Sequence, residues 1–294
     1  VEGVAIGERA YQHALDYART RVQGREIGQK SGDRVTIIHH PDVRRMLMSM
    51  RAQNEAMRAL AYFAAATLDK ARHHPDPAEK RRSQGLLDLL TPIVKGWCTE
   101  QGVEVASTGI QVHGGMGFVE ETGAAQYLRD ARITTIYEGT TGIQANDLIG
   151  RKVAFEKGAT AFAVIEEMRK LDAPLAKAAG FAAMRANLKE VIDGLNEATR
   201  WLVETYPQNA KAASAVAVPY LKLFGTVAGG WMMARAALVA REKLKQPDAD
   251  QDFLQAKLAT ARFYAEHELP RAIPLVREVT RGADSVLALD PGKF

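Results

Sequence analysis

Apolar residues recur along this chain at intervals of three and four, the period of helices that bury one stripe. Ala10, Ala14, Ala18 and Val22, widened by Tyr11 and Leu15, predict a helix over about residues 5–22 that ends near Gly24. Pro41 and Asp42 open a second helix with the stripe Val43, Met46, Leu47, Met50, Met57, Leu60, Ala61, Ala64 and Leu68. It stops where Pro75 and Pro77 forbid continuation. A third carries Leu87, Leu90, Val94, Trp97 and Cys98, continues through Val103 and Ala106, and ends at Gly114-Gly115-Met116-Gly117. Shorter helices are expected over Ala124 to Arg132 and just after Gly139, the latter with Ile143, Leu148 and Ile149. The remainder is Ala-rich, with helices expected at roughly 156–170, 181–205, 210–243 and 250–281. Val35-Thr36-Ile37-Ile38, the one β-branched cluster, is too short to build a sheet. The expected fold is all-α: an antiparallel helical bundle over residues 1–152, then a second helical bundle over 153–294.

Composition narrows the function classes. The single cysteine, Cys98, has no partner for a disulfide within the chain and sits in an apolar stretch that suits a reduced interior, so a cytoplasmic location is expected. No run of about 20 apolar residues offers a membrane span. The net charge of +4 is spread over many helical surfaces rather than concentrated as nucleic acid requires. Arg44, Arg45, Arg51, Arg58 and Lys80-Arg81-Arg82 form the only candidate basic face, and charges at this density usually mark solvated helix. The chain starts at Val1 rather than Met, which leads us to expect that the natural polypeptide begins earlier.

Three constellations could carry chemistry. In Gln111-Val112-His113-Gly114-Gly115-Met116-Gly117-Phe118 the glycines either end a helix and turn the chain, or leave bare backbone that a flat or anionic ligand can approach, with the Gln111 amide on a heterocycle edge. In Ile136-Tyr137-Glu138-Gly139-Thr140-Thr141-Gly142-Ile143-Gln144, Glu138 either complements the start of the following helix, capped by Thr140 or Thr141, or is a general base. A carboxylate in an apolar, ligand-lined cleft gains proton affinity by desolvation, and Gly139 would let substrate come close. Arg19-Thr20-Arg21-Val22-Gln23-Gly24-Arg25 is either a solvated helix end or a phosphate site. The pairs His39-His40 and His73-His74 lie where helices start or stop, and no helix carries ligands one turn apart, so no metal site is expected. Glu266-His267-Glu268 is expected on a solvated helix face.

In this order, and together with Arg129-Asp130-Ala131-Arg132-Ile133, these segments resemble the C-terminal half of an acyl-CoA dehydrogenase flavoprotein over roughly residues 1–152. The resemblance implies FAD shared between subunits of a homodimer or homotetramer. It places Arg21 on the partner FAD's pyrophosphate, Gln111, Gly114 and Gly115 near its nucleotide end, and Thr140 on the chain's own flavin phosphates. It makes Glu138 the base that takes the acyl α-proton while the β-hydrogen leaves as hydride, with Tyr137 and Gly139 beside the acyl-CoA, and it implies an electron-transfer flavoprotein as acceptor. Departures from the family pattern are a shortened turn at Val22-Gln23-Gly24, Pro41 where a polar FAD contact is common, and Gly142 in place of a common Gln. Residues 155–294 are similar to the added helical domain of larger members acting on short or modified acyl groups, methylmercaptopropionyl-CoA types included. Acyl-CoA oxidases and a DNA-associated branch also carry such extensions and are the alternatives. On this reading the 294 residues are the second half of a larger enzyme, expected to hold FAD poorly and to be inactive alone.

Overall fold

The computed structural model describes all 294 residues, and every regular element in it is helical. In chain order the α-helices are α1 (Glu2–Thr20), α2 (Pro41–His73), α3 (Pro77–His113), α4 (Gly115–Phe118), α5 (Ala124–Thr134), α6 (Thr141–Asn146), α7 (Ala159–Arg169), α8 (Asp172–Lys177), α9 (Ala182–Thr205), α10 (Ala210–Ala215), α11 (Ala217–Lys243), α12 (Gln251–Phe263), α13 (Ala272–Arg281) and α14 (Ala283–Val286). The only β-type pairing is one antiparallel bridge, Val22 with Thr36. Two compact units form: Val1–Arg58 with Cys98–Tyr137, and Ala59–Trp97 with Glu138–Phe294.

The first unit is stitched by small residues. A side chain on Gly3 would strike the Cys98 and Thr99 backbone, one on Gly102 would strike Gly3, and Gly109 lies over Ala10. The matched numbers rise together, so α1 runs parallel to the C-terminal part of α3. Met57 faces Cys98 and Met50 faces Gly109, so α2 runs antiparallel to it. Ala10, Ala106 and Ala131 close the seam with α5. Burial pushes the Cys98 thiol up to about 12, as the apolar setting of that residue in the sequence suggests.

The first helix stops at Thr20, short of Gly24. Arg21 turns extended, and the chain pairs instead with 35–37: Gln23 N–H donates to Val35 (3.0 Å) and Ile37 N–H to Arg21 (2.8 Å).

The second unit wraps α11, which is buried over most of its surface between α9, α12 and α13, with Lys222, Arg235 and Val239 left exposed. By length and composition α11 could cross a membrane, contrary to the expectation that no such run exists; 72% of its most apolar window is buried inside the fold, which marks it as a core helix. Two helices expected to be continuous are interrupted, and proline explains both. Pro219 cannot donate to the carbonyl four residues back, so the helix breaks at Val216 and Pro219 falls in the first turn of α11. Pro270 interrupts 250–281 through a π-turn over Tyr264–Glu268 and a 3-10 turn over Leu269–Arg271. That π-turn rotates Glu268 inward, where it is buried and paired with Arg271 at 3.1 Å, so only His267 of the acidic trio is fully exposed.

Candidate active site

In the first unit the residues of interest lie at two helix ends. Arg21 follows α1, whose last hydroxyl, on Thr20, donates to the Asp16 carbonyl at 3.1 Å. The backbone pairing with 35–37 holds Arg21 extended, and a ring nitrogen of His40 donates to the Gln23 carbonyl at 2.7 Å, which gives that histidine a structural task. The Arg21 guanidinium is exposed, with only the Gln23 side chain at 3.4 Å.

At the end of α3, Gly114 adopts φ +59°, ψ −139°, a conformation essentially reserved for glycine. The three glycines divide by function. Gly117 is locked in packing, since a side chain there would lie 2.3 Å from the Ile110 carbonyl; around Gly114 and Gly115 nothing comes within 4 Å of where a side chain would stand. Their bare backbone and the exposed Gln111 amide suit a flat heterocycle, and the exposed Arg21 guanidinium suits a phosphate.

His113, immediately before this turn, is buried; its Nδ1 donates to the Gly109 carbonyl at 2.7 Å, and Nε2 has no partner. Its ring stacks on Tyr17 with centroids 4.4 Å apart and lies 4.7 Å from His13, which in turn meets Tyr127. Burial holds its pKa below the ordinary value, the Gly109 bond opposes this, and His13 adds to it. Because the folded pKa is depressed, the unfolded chain binds the extra proton first. Stability is therefore full above about pH 6.5 and falls as pH drops through the folded pKa. The melting temperature measured from pH 8 to pH 5 should decline, and His113→Gln should flatten that decline; an unchanged slope would show that His113 is not the responsible group.

In the second unit, Glu138 has φ +53° and Gly139 φ +86°. Two consecutive left-handed residues, the first with a Cβ, are costly and persist only where the surroundings impose them. Thr140 caps α6, its hydroxyl accepting from Ile143 N–H at 3.3 Å, so the capping role falls to Thr140 while Thr141 is buried. The Glu138 side chain is exposed in this chain rather than enclosed in an apolar cleft; neighbouring Tyr137 is 37% exposed. Sequence reasoning gave two residues here no role: Lys95, which it did not single out, and Gln144, which closes the segment that starts at Ile136. Gln144 Nε2 donates to the Glu138 carbonyl at 3.1 Å, and Lys95 Nζ donates to the Gly139 carbonyl at 2.6 Å. The available signal for Lys95 was a lone ammonium inside the apolar run Ile93-Val94-Lys95-Gly96-Trp97-Cys98.

Four of the seven cations of the candidate basic face are paired with carboxylates. Arg45 pairs with Asp42, Arg51 with Glu55, Arg58 with Glu8 and Arg82 with Glu79.

Residues 1–153 match the family described as acyl-CoA dehydrogenase, C-terminal domain, and residues 163–290 match the family described as acetyl-CoA dehydrogenase C-terminal like. The chain belongs to the acyl-CoA dehydrogenase family. It is 48% identical, over 98% of its length, to 3-methylmercaptopropionyl-CoA dehydrogenase of Ruegeria pomeroyi, covering 49% of that protein. It is 33% identical to the broad-specificity linear acyl-CoA dehydrogenase FadE5 of Mycobacterium tuberculosis over 100% of its own length and 50% of that protein. The fold likeness extends to the FAD complex of an acyl-CoA dehydrogenase from Bacillus anthracis, with a TM-score of 0.71 at 16% identity, over 97% of this chain and 48% of that one. The chain thus spans about half the length of the curated relatives it matches.

Proposed function

We propose that the chain is the C-terminal portion of a FAD-dependent acyl-CoA dehydrogenase, with Glu138 as the base that removes the α-proton of an acyl-CoA thioester. One observation carries the reading: a carboxylate-bearing residue held left-handed, directly before a left-handed glycine, in a family whose members are dehydrogenases. Strain of this kind is often kept at functional sites, and since Lys157–Gly158 adopts the same pair of conformations, it is the carboxylate that singles out Glu138. The resemblance puts Gly139 and Tyr137 beside the acyl-CoA, and the Tyr137 side chain is in part exposed. Glu138 Oε takes the α-proton as the Cα–H bond breaks; FAD, when bound, supplies the acceptor for the β-hydride. Arg21, with its exposed guanidinium, and Gln111, Gly114 and Gly115, with open backbone and an amide, would hold the dinucleotide of a neighbouring subunit in a homodimer or homotetramer, and Thr140 the phosphates of the chain's own. An electron-transfer flavoprotein is the proposed acceptor, and acyl-CoA the proposed substrate.

The test is the full-length protein, examined for a flavin spectrum and titrated anaerobically with acyl-CoAs, beginning with 3-methylmercaptopropionyl-CoA on the strength of the 48% identity. Bleaching of the flavin is the expected result. Peroxide formed at the turnover rate in air would reassign it as an oxidase, and the absence of bleaching by every acyl-CoA would overturn the reading.

A further inference from the structure

Two side chains, one from a distant helix and one from the helix that follows, grip the backbone at the two left-handed residues. Lys95, on α3, donates to the Gly139 carbonyl, and Gln144, on α6, donates to the Glu138 carbonyl. Neither bond involves the Glu138 carboxylate. Both therefore fix where that carboxylate is presented without competing for the proton it would take.

We propose that Lys95 and Gln144 are positioning residues that clamp the Glu138–Gly139 turn in its left-handed form and so aim the carboxylate for α-proton abstraction. The inference rests on the reading of Glu138 as base. Released from the clamp, a residue with a Cβ returns to the right-handed or extended regions, which swings its side chain away. A general base tolerates little displacement, because proton transfer needs hydrogen-bond reach and alignment.

The clamp is itself anchored. Next to Lys95, Gly96 sits so close to Leu221 that an added side chain would lie 2.8 Å from it, and Trp97 fills the space over Gly225 and Gly229. The helix that presents Lys95 is therefore seated against α11 at the two residues that follow it. On the other side, a side chain on Gly139 would come within 3.0 Å of Gln144 Nε2, so glycine there also keeps the second bond intact. The C-terminal helices in this way support the placement of the base from behind.

The experiment reads the base without hydride transfer. tert-Butylacetyl-CoA has an α-CH2 but no hydrogen on its β-carbon, so deuterium uptake at its α-carbon in D2O reports proton abstraction alone. In the full-length, FAD-loaded protein, Lys95→Met and Gln144→Leu should each slow this exchange by about 10- to 100-fold. KM, flavin content and melting temperature should stay near wild type, and Lys95→Arg, which keeps a cationic donor, should recover most of the rate. Wild-type exchange in both Lys95→Met and Gln144→Leu, with Glu138→Gln silent, overturns the clamp while leaving the base assignment standing. Wild-type exchange in Glu138→Gln, or no exchange in the wild type, overturns the base assignment and the clamp with it. Should Lys95→Met not fold, Gln144→Leu and Lys95→Arg decide by the same criteria.

Discussion

Glu138→Gln should lower the rate of flavin bleaching by acyl-CoA by about three orders of magnitude, within the range that a general base contributes. The amide has nearly the same size and shape as the carboxylate but cannot accept the α-proton. Residue 138 is exposed, so the exchange removes no packing, and Gln bears the same left-handed backbone cost as Glu. Stability should move by no more than about 0.5 kcal/mol, as for surface substitutions in general. FAD content should not change, because the residues proposed to hold the cofactor are untouched. Stopped-flow absorbance separates the two quantities. A bleaching rate within threefold of wild type would remove Glu138 from the reaction, whatever the fate of the cofactor.

The largest structural effect is expected at Gly225, in the middle of α11. A methyl group there would lie 2.1 Å from Trp97 Cγ and 2.5 Å from Cδ1. Two opposing terms decide the outcome. Alanine in a helix interior gains about 1 kcal/mol over glycine, whereas forcing a buried indole aside costs about 1–3 kcal/mol or more. Trp97 is 1% exposed, with the small side of α11 against it, so the clash dominates. Gly225→Ala should therefore destabilise by about 1–2 kcal/mol and lower the melting temperature by about 2–8 °C. Gly85→Ala is the contrasting case. Its new methyl would meet only the Thr160 hydroxyl, at 3.5 Å, so the helix-propensity gain remains and stability should rise. Equal melting temperatures for the two variants would refute the steric argument.

Much of this was legible in the residue pattern. The stripes of α1, α2, α3 and α9 define faces that are buried in the structure, and the Glu138-Gly139-Thr140 segment announced a turn before a helix. The helix breaks at Val216 and before α13 were passed over because alanine-rich periodicity outweighed single prolines, although Pro219 and Pro270 held the information. The early end of α1 was not readable at all. Nothing local stops a helix before Gly24, and the winning interaction is with residues 35–37. The left-handed state of Glu138 was hidden for a similar reason. It is supported by Lys95, 44 residues from Gly139, and no local propensity records a contact of that range.

The π-turn over Tyr264–Glu268 has a consequence for comparing chains. Such a turn stores one residue more than an α-helix needs to cover the same rise, and here it sits between α12 and α13, both packed on α11. A chain that lacked this residue could keep both helices in place by closing the bulge into ordinary α-helix. Alignments across this segment therefore need freedom to open a one-position gap inside a helix, where gaps are normally discouraged. Without it, every residue from the bulge onward would be matched about 100° around the helix from its true counterpart.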